Sequence, residues 1–342
     1  MNESMERGRR LFGEEIPAFF VASEGWVWYT VYIIHPEEFM LKMTEFYEYC
    51  RENLPDLELR LAQPMSKYTS FRIGGNAELM ALPKTEEELS WLLRAAKTHA
   101  LEPVVLGAGT NVLAPDGGIP GLVICLKDAL AGLEQLDPHT IRVQAGVTMA
   151  RAAVYAANLG LGGLEFAHGI PGSVGGGVYM NAGAYGGEIK DVCTRIRIMD
   201  RAGQGRWLTR EEAGFSYRHS AVEDHPWIVT AAEFSLEPRP VSEIRDKMQE
   251  LISKRRNSQP LELPSAGSAF KRPQTGYAAA LIDSCGLKGF QVGGAAVSEK
   301  HAGFVVNLGG ATAADVQSLL RQVSDRVYAE TGIRLEPEVR IW

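Results

Sequence analysis

The sequence predicts a mixed α+β protein of two or three domains, on three observations. Capped amphipathic helices alternate with short apolar strands. A glycine-rich stretch with few charges fills residues 160–187. Pro238 and Pro240 then interrupt the pattern just ahead of a new helix. With 342 residues, of which 45% are hydrophobic and 23% charged, the chain can bury several cores without disulfides or a structural metal.

The elements follow in order. Thr85-x-x-Glu88 is a capping box, and Leu89, Leu92, Leu93 and Ala96 repeat at helical spacing, so residues 83–100 read as an amphipathic helix. Val104–Leu106 is a short buried strand that ends in Gly107. Strands at Leu122–Leu126 and Ile141–Gln144 come next, and a helix from Met149 to Leu159 stops at Gly160. The glycine density of residues 160–187 fits neither a packed helix nor a polar linker, so the chain there is expected to wind closely around something. Thr194–Asp200 and Arg206–Leu208 read as a hairpin across Arg201-Ala202-Gly203, Thr209-x-x-Glu212 caps a short helix, and Trp227–Phe234 returns as a strand. Beyond the prolines a helix runs from Ser242 to about Arg256. Strands near Ser268 and over Val292–Val297, helices at Tyr277–Ser284 and Ala313–Glu330, and a final strand Leu335–Trp342 complete the chain. The expected division is an extension at 1–39, a first subdomain at 40–126 joined by strand 335–342, a second at 127–238, and a last domain at 239–342.

Composition excludes several classes. A net charge of −7, from 35 Lys+Arg and 42 Asp+Glu, offers no basic footprint, so no nucleic-acid partner is expected. Cys50, Cys125, Cys193 and Cys285 lie far apart without C-x-x-C or histidine at metal spacing, which disfavours a metal site or a disulfide framework and suits the cytoplasm. Residues 16–34 are strongly apolar, yet Glu24 and Gly25 at their centre argue against a membrane span. Glu14, Glu15 and Pro17 argue against a signal peptide, and a natural start at Met40 or Met43 would account for the extension. Oligomeric state leaves no trace in the sequence; a monomer is favoured.

Two glycine loops carry the chemistry. Gly107-Ala-Gly109-Thr110-Asn111 follows a strand, where its N–H groups can cradle a phosphate, although the spacing fits a tight turn equally well. Val112 stands where G-x-G-x-x-G needs its third glycine, and no G-x-x-x-x-G-K-[ST] occurs, so ordinary Rossmann and P-loop readings are disfavoured. The second loop, Gly169-Ile170-Pro171-Gly172-Ser173-Val174-Gly175-Gly176, precedes Asn181, Gly183 and Tyr185. Two such loops suggest a large dinucleotide.

Read in order, YTSFRIGGNA at 68–77, GAGTNVL at 107–113, GLEFAHGIPGSVGGGVYMNAGAYGGEI at 163–189, FSYRHS at 215–220, PSAGSAFKRP at 264–273, LIDSCGLKG at 281–289, GGAAVSEKHAGFVVN at 293–307 and LEPEVRIW at 335–342 resemble the UDP-N-acetylenolpyruvoylglucosamine reductase family over about residues 45–342. The chain resembles that family's shorter type, since Pro240 leads straight into the Ser242 helix and little separates Pro273 from Leu281. The resemblance implies a flavin-binding fold of the vanillyl-alcohol-oxidase type in two subdomains, plus a C-terminal α+β substrate-binding domain. It also implies FAD held by Arg72, Gly107, Gly109, Thr110, Asn111, Ile170, Pro171, Gly172, Ser173, Gly175, Gly176, Asn181 and Gly183. NADPH would reduce the flavin, which would pass hydride to the small-molecule substrate UDP-N-acetylglucosamine enolpyruvate on the route to peptidoglycan.

Such a reduction adds H⁻ to one alkene carbon and H⁺ to its neighbour, so the site must donate a proton and hold enolate-like charge. By resemblance, Ser268 is the proton donor, Arg218 the catalytic arginine and Glu338 the catalytic glutamate. Glu338 either orients Arg218 or, protonated, hydrogen-bonds the enolate. Tyr185, Tyr217, Lys271, Arg272, Lys288 and His301 are candidate substrate contacts, although the family often has asparagine where Arg272 stands. The competing readings are a sugar or alcohol oxidase of the same flavin superfamily, with His168 available for a covalent link, and a non-catalytic flavin- or nucleotide-sugar-binding protein.

Overall fold

The computed structural model describes residues 36–342. Most of the expected extension at 1–39 lies outside the described residues, and its boundary falls within helix α1 (Pro36–Asn53). Three packed bodies follow.

The first body contains α1, β1 (Glu58–Pro64), β2 (Asn76–Leu82), α2 (Glu86–Thr98), β3 (Val104–Leu106), β4 (Val112–Leu113) and β5 (Ile119–Cys125). Its sheet has the order β1-β2-β5-β3, antiparallel at β1-β2 and parallel elsewhere. Side chains alternate across it: Leu79, Ala81, Leu122 and Ile124 join Phe46, Leu89 and Leu92 from the helices, while Met80, Val123 and Cys125 face a second core with Met65. Burial on both faces is why β5 reads as a continuous apolar run. The Thr85 hydroxyl accepts from Glu88 N–H at 3.1 Å, as expected, but the Glu88 carboxylate reaches back to Lys84 N–H at 2.6 Å, one residue further than a standard box.

The middle body runs through β6 (Leu133–Gln135), β7 (Thr140–Gln144), α3 (Met149–Asn158), β8 (Leu161–Gly162), α4 (Val174–Tyr179), β9 (Gly183–Ala184), β10 (Gly187–Glu188), α5 (Ile189–Val192), β11 (Cys193–Met199), β12 (Gly205–Thr209), β13 (Ile228–Ser235), β14 (Glu237–Pro238) and α6 (Val241–Ser258). Its antiparallel sheet has the order β12-β11-β13-β7-β6. Three expectations change here. The glycine stretch does contain a packed helix, α4, capped by Ser173. It needs glycine because a Cβ on Gly175 would stand 2.8 Å from Ala145 Cβ, and one on Gly177 2.8 Å from Met149 Sδ. Thr209 and Glu212 exchange their capping bonds, yet only turns follow, since Gly214 takes the left-handed conformation at φ +56°. Finally, α6 buries Ile244, Met248 and Leu251 in the middle core, so by packing it belongs before the boundary expected at 238.

The third body holds β15 (Ser265–Ser268), α7 (Ala278–Ser284), β16 (Gln291–Val292), β17 (Ala295–Val297), β18 (Phe304–Asn307), α8 (Ala313–Thr331) and β19 (Arg340–Ile341). The expected strand Val292–Val297 is a hairpin that turns at Gly293, φ +54°. The final strand is only β19, and it pairs in parallel with β4 of the first body. Helix α8 carries a Thr312/Asp315 capping box, and Asp116 of the first body also accepts from Ala313 N–H at 2.7 Å and Ala314 N–H at 3.1 Å. No helix among the described residues is long and apolar enough to cross a membrane.

Candidate active site

A cavity of about 840 Å³ opens where the three bodies meet. Gly107, Gly109, Thr110 and Asn111 line it, as do Ile170, Pro171, Gly172, Ser173, Gly175, Gly176 and Gly183. The two loops are held together closely: a Cβ on Gly107 would stand 2.7 Å from Ser173 Oγ, and the Thr110 hydroxyl donates to Pro171 O at 3.2 Å. Gly109, at φ +63°, lies against the Tyr68 carbonyl with no room for a side chain. The N–H groups of residues 107–111 have no acceptor among the described residues, and they lie beside the cavity. Unpaired backbone donors facing a cavity suit an anionic diphosphate, so the residues present fit FAD.

Ser268, Arg218 and Glu338 line the same cavity. Ser268 owes its position to a bulge. Between the pairs Ser265↔Val306 and Ser268↔Phe304, β15 carries one more residue than β18, and Gly267 absorbs it at φ +77°. The segment after Ser268 pairs with the one holding Glu338, through Glu338 N–H to Ala269 O and Lys271 N–H to Glu336 O, each 2.9 Å. Asn111 fixes the other side, donating from Nδ2 to Glu338 O at 3.0 Å and accepting from Arg340 N–H at 2.9 Å. Arg218 Nε donates to Glu338 Oε1 at 2.9 Å. The pair is mostly buried, with side-chain exposures of 23% and 11%. Burial pushes the Glu338 carboxyl above its ordinary range, against the opposing pull of Arg218.

The remaining expected residues are placed less uniformly. Asn181 is fully buried, and its amide bonds Glu188, Ser216 O and Lys190 N–H, so it braces the loop instead of facing the cavity. Arg72 is exposed and outside the lining. None of Tyr185, Tyr217, Lys271, Arg272, Lys288 and His301 lines the cavity. Tyr217 accepts from Arg272 N–H at 3.1 Å, and Arg272 stacks 4.3 Å over Tyr277. Lys271 pairs with Glu336 and Lys288 with Asp283. His301 is packed against Phe304, and burial lowers its pKa. His168, which a covalent link would require, does not line the cavity. Arg72, Asn181, Tyr185 and Arg218 all hold φ between +44° and +56°, a conformation costly for these residues and maintained by surrounding contacts. Sequence reasoning missed three cavity cations, Arg201, Arg255 and Arg340. Arg340 lies two residues beyond Glu338 and is tied to Glu223 at 2.6 Å.

Comparison with known proteins accords with this geometry. An FAD binding domain family matches residues 77–209, and the C-terminal domain family of UDP-N-acetylenolpyruvoylglucosamine reductase matches residues 259–342. The UDP-N-acetylenolpyruvoylglucosamine reductase of Agathobacter rectalis is 48% identical, over 85% of this chain and 96% of that protein. Its namesake from Latilactobacillus sakei is 46% identical, over 83% and 93%. The crystal structure of the reductase from Thermus caldophilus matches with a TM-score of 0.70 at 37% identity, covering 84% of this chain and 98% of that one. The fold and site define an FAD-binding oxidoreductase of mixed α+β architecture, with an FAD binding domain followed by a C-terminal domain. The chain belongs to the UDP-N-acetylenolpyruvoylglucosamine reductase family.

Proposed function

We propose that this chain uses NADPH to reduce the enolpyruvyl group of UDP-N-acetylglucosamine enolpyruvate, giving UDP-N-acetylmuramate for peptidoglycan synthesis, as a cytoplasmic monomer. The observation that carries the reading is that Ser268, Arg218 and Glu338 line one cavity together with the loop whose amides are unpaired. The amides of residues 107–111, with loop 170–176, would hold FAD, which when bound relays hydride from NADPH to the alkene.

The chain's own groups do the rest. The Arg218 Nε bond to Glu338 sets the guanidinium plane, and its Nη groups, unpartnered among the described residues, can take the substrate carboxylate as a two-pronged fork. As hydride reaches one alkene carbon, charge grows on that carboxylate and the cation stabilises it. Ser268 Oγ delivers the proton to the neighbouring carbon, and solvent restores it. The bulge at Gly267 aims the hydroxyl without a regular ladder position. Anaerobic stopped-flow absorbance tests the whole reading. NADPH should bleach the flavin band and UDP-N-acetylglucosamine enolpyruvate should restore it; recolouring by O₂ alone would favour the oxidase instead.

A further inference from the structure

Among the described residues, the buried side-chain atoms without a hydrogen-bond partner are His168 Nδ1, Arg255 Nε and Gln259 Oε1. All three lie along one seam. Arg255 sits in the last turn of α6, and Gln259, just past its end, donates its N–H to Arg255 O at 2.9 Å. Helix α6 packs against the short 3₁₀ turn Glu165–Ala167, which His168 closes. A Cβ on the next residue, Gly169, would stand 3.4 Å from Arg255 Cδ and 3.8 Å from Nη1. On its other side Arg255 lines the cavity, beside Ile170 and Pro171.

A guanidinium taken out of water needs a partner. Arg255 has no carboxylate partner among the described residues, and the one ionisable side chain that favours its charge is Tyr185. Burial accordingly lowers its pKa from the ordinary arginine value. A guanidinium that lines the cavity with no protein partner for its charge is suited to a phosphate. Gln259 and His168 do not line the cavity, so they pack behind Arg255 on the seam.

We propose that Arg255, backed by His168 and Gln259, forms a phosphate subsite for a nucleotide that enters the cavity, separate from the loop amides of residues 107–111. The incoming phosphate belongs either to the sugar nucleotide or to the nicotinamide reductant, so this subsite rests on the reaction proposed above.

Arg255→Gln and Arg255→Lys in the purified, FAD-loaded enzyme test it. Both variants should keep stoichiometric FAD. In Arg255→Gln a KM should rise about tenfold or more, as loss of a charge-assisted bond implies, with kcat changed far less; Arg255→Lys should recover part of that loss and serves if the glutamine variant does not fold. If the diphosphate of the sugar nucleotide fills the subsite, its KM rises and UDP becomes a weaker competitive inhibitor. If it is the 2′-phosphate of the reductant, the KM for NADPH rises while that for NADH stays. Unchanged KM values with unchanged UDP inhibition would overturn the subsite. So would FAD loss at constant KM, which would assign Arg255 to the resident cofactor. Failure of the wild-type enzyme to turn over the sugar nucleotide would instead sink the proposed reaction, and UDP binding by wild type and variant would still report on Arg255.

Discussion

Ser268 is exposed, and among the described residues no hydrogen bond engages its hydroxyl, which leaves it free to act on a ligand. Ser268→Ala should therefore leave flavin reduction by NADPH intact and slow substrate reduction by ~10²–10⁴-fold; equal loss in both half-reactions would contradict a proton-donor role. Glu338 makes a different demand. Its raised carboxyl pKa means that the protonated form favours the folded chain, so its contribution to stability is full below the ordinary carboxylate range and is lost as pH rises through the raised value. Glu338→Gln cannot ionise. Thermal melts from acid to neutral pH should show it matching wild type in acid and exceeding it at neutral pH, while substrate turnover falls. Both residues were legible only through motif register, since Glu336 lies on the same strand face as Glu338. Arg255 was not legible at all: within the run Lys254-Arg255-Arg256 nothing but its burial and missing partner sets it apart.

At the scale of elements, the bulge in β15 is the device that presents Ser268. Gly267→Ala meets open space, so its penalty is conformational: a left-handed alanine costs about 1–2 kcal/mol. The expected result is a modest fall in melting temperature with a disproportionate fall in kcat, because relaxing φ at 267 re-aims the hydroxyl. Elements with caps and one apolar face, such as α2 and α8, were readable because local bonds and period agree. Helix α4 was hidden because three consecutive glycines, Gly175 to Gly177, carry no apolar face to read. Strand β1 was hidden too, since most of its residues are half-buried and give no clean alternation. The capping pair Thr209/Glu212 misled for the opposite reason, a correct start signal with a glycine placed too soon after it.

Across the whole molecule, seams hold the bodies in the geometry the site requires. Glu86 at the start of α2 accepts from Arg197 Nε at 2.6 Å and from the Thr230 hydroxyl at 2.7 Å, joining the first body to the middle one. Glu86→Ala leaves both donors without that carboxylate and should cost about 1–3 kcal/mol, read as a lower melting temperature; an unchanged melt would show that the bodies dock without it. Arg218 and Glu338 likewise come from different bodies, so the proposed catalytic pair is itself a seam. Which bodies meet was legible only at one point, the joining of the final strand to the first body, because long-range pairing leaves no local period. That pairing also has a consequence for the making of the protein. The bond from Asn111 to Glu338 spans 227 positions, so a growing chain exposes its loop amides to water long before the segment that binds this loop has left the ribosome. The first two bodies can collapse during synthesis; the chamber for chemistry closes last.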